Sequence, residues 1–161
     1  MPARSYRIAR SPYGDLSGEG ARLYGGRWNR PGLPAVYTAS SRALSVLEML
    51  VHLQPRRVPR DPQLFTVEIP DDIPSETLAA DTFPADWRAI GSSFCLDAGD
   101  EWLRGMNEAV LWVPSAVVPD EYNAILNPNH PDAARIRVVH RQPFEFDPRL
   151  MSLGGVSLGD N

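Results

Sequence analysis

Lysine is absent from the 161-residue chain: all 16 basic residues are arginine, against 20 acidic residues, for a net charge of −4 and an isoelectric point near 5.3. An acidic protein is poorly suited to bind nucleic acid through charge alone, so no direct nucleic-acid partner is expected. The lack of lysine beside 16 prolines fits GC-rich codon usage and carries little functional weight. A single cysteine, Cys95, excludes an internal disulfide. It is scattered from His52, His130 and His140 without ligand spacing, so no metal site is expected. No apolar run approaches the roughly 20 residues that cross a bilayer. The opening MPARSYRIAR carries arginines with no apolar stretch behind them, which argues against a secretory signal. The expectation is a soluble cytoplasmic protein without a membrane partner. Also missing are the phosphate-binding P-loop and the Gly-x-Ser-x-Gly nucleophile motif. The stretch GEGARLYGG does not make a dinucleotide fingerprint, because no strand precedes it and no helix follows.

What is present suffices for one core. With 43% hydrophobic and 22% charged residues, the chain has the length and composition of one ordinary globular domain. Its charge is uneven: residues 1–60 sum to +7 and residues 61–161 to −11. A basic N-terminal part on an acidic protein is suited to an anionic ligand in a cleft; the plainer alternative is that folding mixes these charges over one surface.

Glycine and proline divide the chain. Gly25-Gly26 and the run Arg30 to Pro34 bracket a short segment, Arg27-Trp28-Asn29. PAVYT, residues 34–38, reads as a strand with Val36 and Thr38 on one side and Ala35 and Tyr37 on the other. Ser40 or Ser41 then caps a helix to about Leu53, with Ala43, Leu44, Leu47, Leu50 and Val51 as its apolar stripe. The proline- and arginine-rich run from Pro55 to Pro62 ends it as a linker. LFTVEIP, residues 64–70, alternates like a half-buried strand, and Ala109–Val113 is short enough for a buried one. Residues 71–106 give only a segment around Trp87 and a helical turn at Glu101–Leu103. Asp120–Asp132 reads as a turn-rich loop, and Arg135–His140 and Phe144–Phe146 as the last strands. Interleaved helix and strand patterns predict a single α+β domain over residues 1–150, with 151–161 a flexible tail.

Several residues are placed for chemistry, each with a plainer alternative. Glu48 lies at the border of the helix stripe, where a carboxylate either leans toward the sheet or reaches solvent beside Arg42 or His52. Arg27, after two glycines, offers a guanidinium fork for phosphate oxygens or is a surface arginine; Trp28 offers a stacking face or is core. Tyr37 presents a ring or hydroxyl to a flat base, or is a half-buried strand tyrosine. Ser115, after a strand end, has no neighbouring base to make it a nucleophile. Asn127 binds by its amide or holds an Asn-Pro turn.

In order along the chain, GGRWN, VYTA, the Leu-Glu helix, VPS and the downstream Asn-Pro make the chain resemble the RES domain family, from about Tyr6 to Leu150 and least over residues 71–105. The resemblance implies the toxin of a bacterial type II toxin-antitoxin pair, with mixed and antiparallel sheets and flanking helices similar to ADP-ribosyltransferases. It implies NAD as substrate rather than a bound cofactor, with cleavage of the nicotinamide–ribose bond. Inorganic phosphate is the expected co-substrate, yielding ADP-ribose 1″-phosphate, and a protein acceptor of ADP-ribose is the alternative. Carried over, Arg27, Tyr37, Glu48 and Ser115 are the catalytic residues. Substrate contacts fall on Arg27, Trp28, Tyr37, Ser115 and Asn127. The implied partner is a helix-turn-helix antitoxin of the Xre type, in a complex that has room for a toxin homodimer. A non-enzymatic module binding anions or nucleic acid through the basic N-terminal part is the rival from another class.

Overall fold

A computed structural model describes residues 1–10, 15–52 and 60–153. Its centre is one seven-stranded mixed sheet in the order β4-β5-β6-β2-β1-β3-β7. The strands are β1 (Ala3–Arg10), β2 (Val36–Ala39), β3 (Pro62–Ile69), β4 (Ser75–Thr77), β5 (Val110–Pro114), β6 (Tyr122–Leu126) and β7 (Arg137–Pro143). Only β4, beside β5, pairs in parallel; the other neighbours are antiparallel. Four helices accompany the sheet: α1 (Glu19–Tyr24), α2 (Arg42–His52), α3 (Ser93–Gly105) and α4 (Pro148–Leu153). This is the expected α+β architecture, and no described helix is long and apolar enough to cross a membrane.

Strand register sorts the side chains. Leu111, Ile125 and Tyr37 stand in one row, and Val113, Asn123 and Ala39 in the next, on the same face. Leu111, Val113 and Ile125 pack there under α3 with Trp28, Trp87, Cys95, Trp102 and Leu103. Val36, Val67, Ile69, Val110, Ala124 and Leu126 form the core of the opposite face. Val36 and Tyr37 thus separate as the alternation predicts.

Helix α2 begins where its cap predicts, with the Ser41 hydroxyl accepting from the Leu44 amide at 3.0 Å. Its phase differs from the expected stripe. Leu44 is buried, but Ala43, Leu47 and Val51 face solvent, the last two at 38% and 58% exposure. Leu50 packs inward as expected, and Val46 and Met49 join it against Ile8 and Leu64. Ser45 tolerates burial because its hydroxyl donates to the Arg42 carbonyl at 2.7 Å, closing its hydrogen bond within the helix. Glu48 still falls on the border of the buried arc.

Four other expectations change. Residues 120–132 contain strand β6: its turn signals bracket a strand instead of making one long loop. The arginine-rich opening forms β1, so a strand does precede GEGARLYGG; in it Tyr6 and Ile8 alternate with Ser5 and Arg7. Helix α3 occupies 13 residues of the unassigned 71–106 stretch, with the Ser92 hydroxyl capping it by accepting from Cys95 N. Among the described residues at the C-terminal end there is one strand, β7, and Phe144 and Phe146 pack edge-to-face beyond it. Most of the expected Pro55–Pro62 linker, and residues 154–161 of the expected tail, lie outside the described residues.

Candidate active site

On the sheet face that carries Tyr37 and Asn123, α2 covers β1 and β2, whereas α3 and the Arg27–Asn29 segment cover β5 and β6. Glu48 reaches from α2 onto the ends of β5 and β6. Its Oε1 accepts from the Ser115 hydroxyl at 2.6 Å and from Asn123 Nδ2 at 2.8 Å. Both donors fall on one carboxylate oxygen, and Oε2 accepts no hydrogen bond from a described residue. Glu48 is half-buried, so this second oxygen is the one left for a ligand.

Ser115 explains how that anion is fixed. Its Oγ accepts from the amides of Val117 and Val118 at 3.1 and 3.0 Å while donating to Glu48. Two backbone dipoles thus polarise the hydroxyl that orients the carboxylate. Ser115 is fully enclosed, and its hydroxyl is committed to Glu48 and to two backbone amides. It is a positioning residue. Asn123, the second donor, escapes sequence reading because it sits inside the stretch that reads as a loop. Assigning Tyr122–Leu126 as a strand would have placed Asn123 beside Val113, on the Tyr37 face.

Tyr37 is equally committed. Its hydroxyl accepts from Trp28 N at 3.0 Å and donates to Asn29 Oδ1 at 2.6 Å. Asn29 is held in turn by donating to the carbonyls of Ala21, Arg30 and Leu33. Gly26 lies on the ring: a Cβ there would stand 2.7 Å from Tyr37 Cζ, so glycine permits the close approach. Burial pushes the phenol above its ordinary pKa of 10.0, outweighing the opposing hydrogen bond from Trp28. The folded state therefore holds this proton more tightly than the unfolded chain. Its contribution to stability is complete below about pH 10 and is lost only as pH rises beyond that range. Such a phenol is neither acid nor base near neutrality. We expect Tyr37→Phe to lower stability by about 1–3 kcal/mol, by orphaning a buried amide and an amide oxygen, while leaving the chemical step within a few-fold. Urea melts and turnover on the same preparation check both.

Arg27 docks on a different segment. Its Nη1 donates to the carbonyls of Trp87 and Ala89 at 3.2 and 3.1 Å, and its Nη2 to that of Arg88 at 3.3 Å. Three of the five N–H groups are thereby used, and Nε–H with one Nη2–H remains for an anion. The neighbouring Trp28 is 2% exposed and packs against Phe83, so the expected stacking face is core. Asn127 is likewise 1% exposed: its amide donates to Leu103 O at 3.1 Å and its Oδ1 accepts from Asn129 N. It ties the end of α3 to the Asn-Pro turn and is not placed to touch a ligand.

The segment carrying Arg27 is anchored to α3. Asp100, 3% exposed, accepts from the Arg30 amide at 3.0 Å and from its guanidinium at 2.8 Å, and Asp97 accepts from the other Nη. Among the described residues no cluster of His, Cys, Asp or Glu has the geometry to hold a metal ion.

Known proteins share this plan. The family model for the RES domain matches residues 4–147. Toxin Res of Photorhabdus laumondii subsp. laumondii is 44% identical over 150 residues, which span 91% of this chain and 96% of that one. The Prs ADP-ribosylating toxin of Sphingobium sp. (strain YBL2) is 39% identical over 140 residues, 85% of this chain and 87% of the relative. Among solved structures, the M. tuberculosis MbcT-MbcA toxin-antitoxin complex contains a chain that superposes with a TM-score of 0.73 at 22% identity. The superposition covers 95% of this chain and 88% of that one.

Proposed function

Because the chain belongs to the RES domain family, we propose that it is the toxin of a toxin-antitoxin pair and consumes NAD by cleaving the nicotinamide–ribose bond. The observation that carries this reading is the Glu48 carboxylate, fixed through one oxygen by Ser115 and Asn123 with the other oxygen left unbonded. When the C1″–N1 bond breaks, its electron pair leaves with nicotinamide and positive charge develops on the ribose. A preorganised anion stabilises that charge, or holds a ribose hydroxyl, without reorganising during the step. Nicotinamide departs neutral from a cationic ring, so no strong general acid is needed. This agrees with a site whose serine and tyrosine protons are both committed to hydrogen bonds. The free edge of Arg27 supplies charge for the dinucleotide pyrophosphate or for an incoming phosphate.

The acceptor in this proposal is inorganic phosphate. Its oxygen forms the new bond to C1″ and its proton is released to solvent, giving ADP-ribose 1″-phosphate. A second reading is favoured by the name of the Sphingobium relative: transfer of ADP-ribose to a protein acceptor. The partner would be a helix-turn-helix antitoxin, consistent with a fold neighbour whose structure is a toxin-antitoxin complex. We expect nicotinamide release by the antitoxin-free protein to rise with added phosphate and to yield ADP-ribose 1″-phosphate. Phosphate-independent release together with an ADP-ribose mass increment on a protein would replace phosphorolysis with transfer.

A further inference from the structure

We propose that Arg88 is a second anion-binding residue of the candidate active site, joining Arg27 in a two-guanidinium site for a phosphate or pyrophosphate group. The inference rests on the reading of this site as one for a phosphorylated substrate, and deepens it by naming a residue that no motif marks. Its basis is a chain of bonds. Arg27 donates to the three successive carbonyls of Trp87, Arg88 and Ala89. From the middle of that segment the exposed Arg88 side chain extends, and its Nε donates to Ala116 O at 2.8 Å. Ala116 follows Ser115, the residue that fixes Glu48. One three-residue span therefore connects the guanidinium of Arg27 with the loop behind the catalytic carboxylate, and Arg88 makes the connection.

Neither of these two cations is neutralised by an ion pair among the described residues, whereas several others are. Arg22, Arg30, Arg135 and Arg149 each pair with an aspartate or glutamate. Arg27 and Arg88 bond only to backbone carbonyls, and neither has a carboxylate partner among the described residues. Carbonyl dipoles orient a guanidinium without cancelling its charge, so both keep a full positive charge for a ligand. On Arg88 the Nε–H is used, and the Nη1 and Nη2 groups remain for oxyanion oxygens, the fork geometry that suits phosphate. The bond to Ala116 also holds the long side chain in one conformation before a ligand arrives, which lowers the ordering cost of binding.

The test measures binding and turnover separately on the full chain. ADP and inorganic phosphate are titrated calorimetrically at low salt into the wild type, Arg27→Ala, Arg88→Ala and Arg88→Lys. Nicotinamide release is followed on the same preparations. Arg88→Ala is expected to fold normally, because the side chain is exposed, and to weaken affinity for at least one probe by about 10-fold or more. Arg88→Lys, a point charge without the fork, should recover only part. A raised KM for NAD alone assigns the site to the dinucleotide pyrophosphate, and a raised KM for phosphate alone assigns it to the co-substrate. Affinity of Arg88→Ala within twofold of wild type for both probes overturns the proposal, as does a wild type that binds neither. Arg88-dependent ADP binding without nicotinamide release retracts the proposed reaction and leaves the anion site standing. Nicotinamide release that needs Glu48 and ignores Arg88 retracts the anion site alone.

Discussion

Glu48→Gln is expected to reduce NAD turnover by about 10²–10³-fold while changing KM little and leaving the protein folded. Glutamine has nearly the shape of glutamate, so its amide oxygen can still accept from Ser115 Oγ and Asn123 Nδ2, the bonds that now hold Oε1. What disappears is the negative charge that the proposed reaction sets against the developing charge on the ribose. An interaction made mainly with the transition state lowers kcat and kcat/KM together, whereas loss of a simple binding contact raises KM alone. Steady-state nicotinamide release at saturating NAD, beside a thermal melt, separates these cases. A variant with a tenfold higher KM and wild-type kcat would reassign Glu48 to ground-state binding.

The largest effect on stability is expected from Gly99→Ala in helix α3. A Cβ at this position would lie 1.7 Å from the Trp28 carbonyl oxygen and 2.6 Å from its carbon. Both clashing atoms are backbone, in the segment between Gly26 and Arg30 that is tied to α3 through Asp100, so no rotamer change relieves the contact. Relief requires α3 and the Arg27 segment to move apart, opening the core of Trp28, Trp87 and Trp102. The cost is expected to exceed about 3 kcal/mol, at the upper end for overpacking, out of the roughly 5–15 kcal/mol that holds a domain together. Gly20→Ala is the matched control: it is also helical, and nothing lies within 4 Å of its added Cβ. Helix propensity predicts a change there of less than about 1 kcal/mol. Urea denaturation of the two variants gives the comparison, and equal midpoints would contradict the close packing of α3 on Trp28.

The exposed apolar edge of α2 shows where periodicity alone falls short. Three- and four-residue spacing predicts a helix and places Glu48 at the margin of its buried face, and both expectations hold. Two overlapping apolar sets exist on α2, however, and the packed one, with Val46, Met49 and Leu50, excludes Leu47 and Val51. The choice depends on Ile8 of β1 and Leu64 of β3, which lie outside the helix on either side of it in the chain. Arg27, Tyr37, Glu48 and Ser115 stand out by sequence, yet their division of labour does not. Tyr37 and Ser115 spend their hydroxyls on neighbours nine and 67 positions away or less, and such closure becomes visible only once the sheet sets the rows. Asn123 and Arg88 were hidden for different reasons. The first lies on a strand framed by turn residues, and the second on an irregular segment whose partners, Arg27 and Ala116, are 61 and 28 positions away in sequence.

The central claim is that the carboxylate held by Ser115 and Asn123 serves cleavage of the nicotinamide–ribose bond. Its most direct test is stoichiometry: nicotinamide formed against NAD lost, with folded antitoxin-free protein, for the wild type and Glu48→Gln side by side. Equimolar release by the wild type, falling by at least about 100-fold in the variant, is the predicted result. Undiminished release by Glu48→Gln, or no release by a wild type that demonstrably binds NAD, would contradict the account.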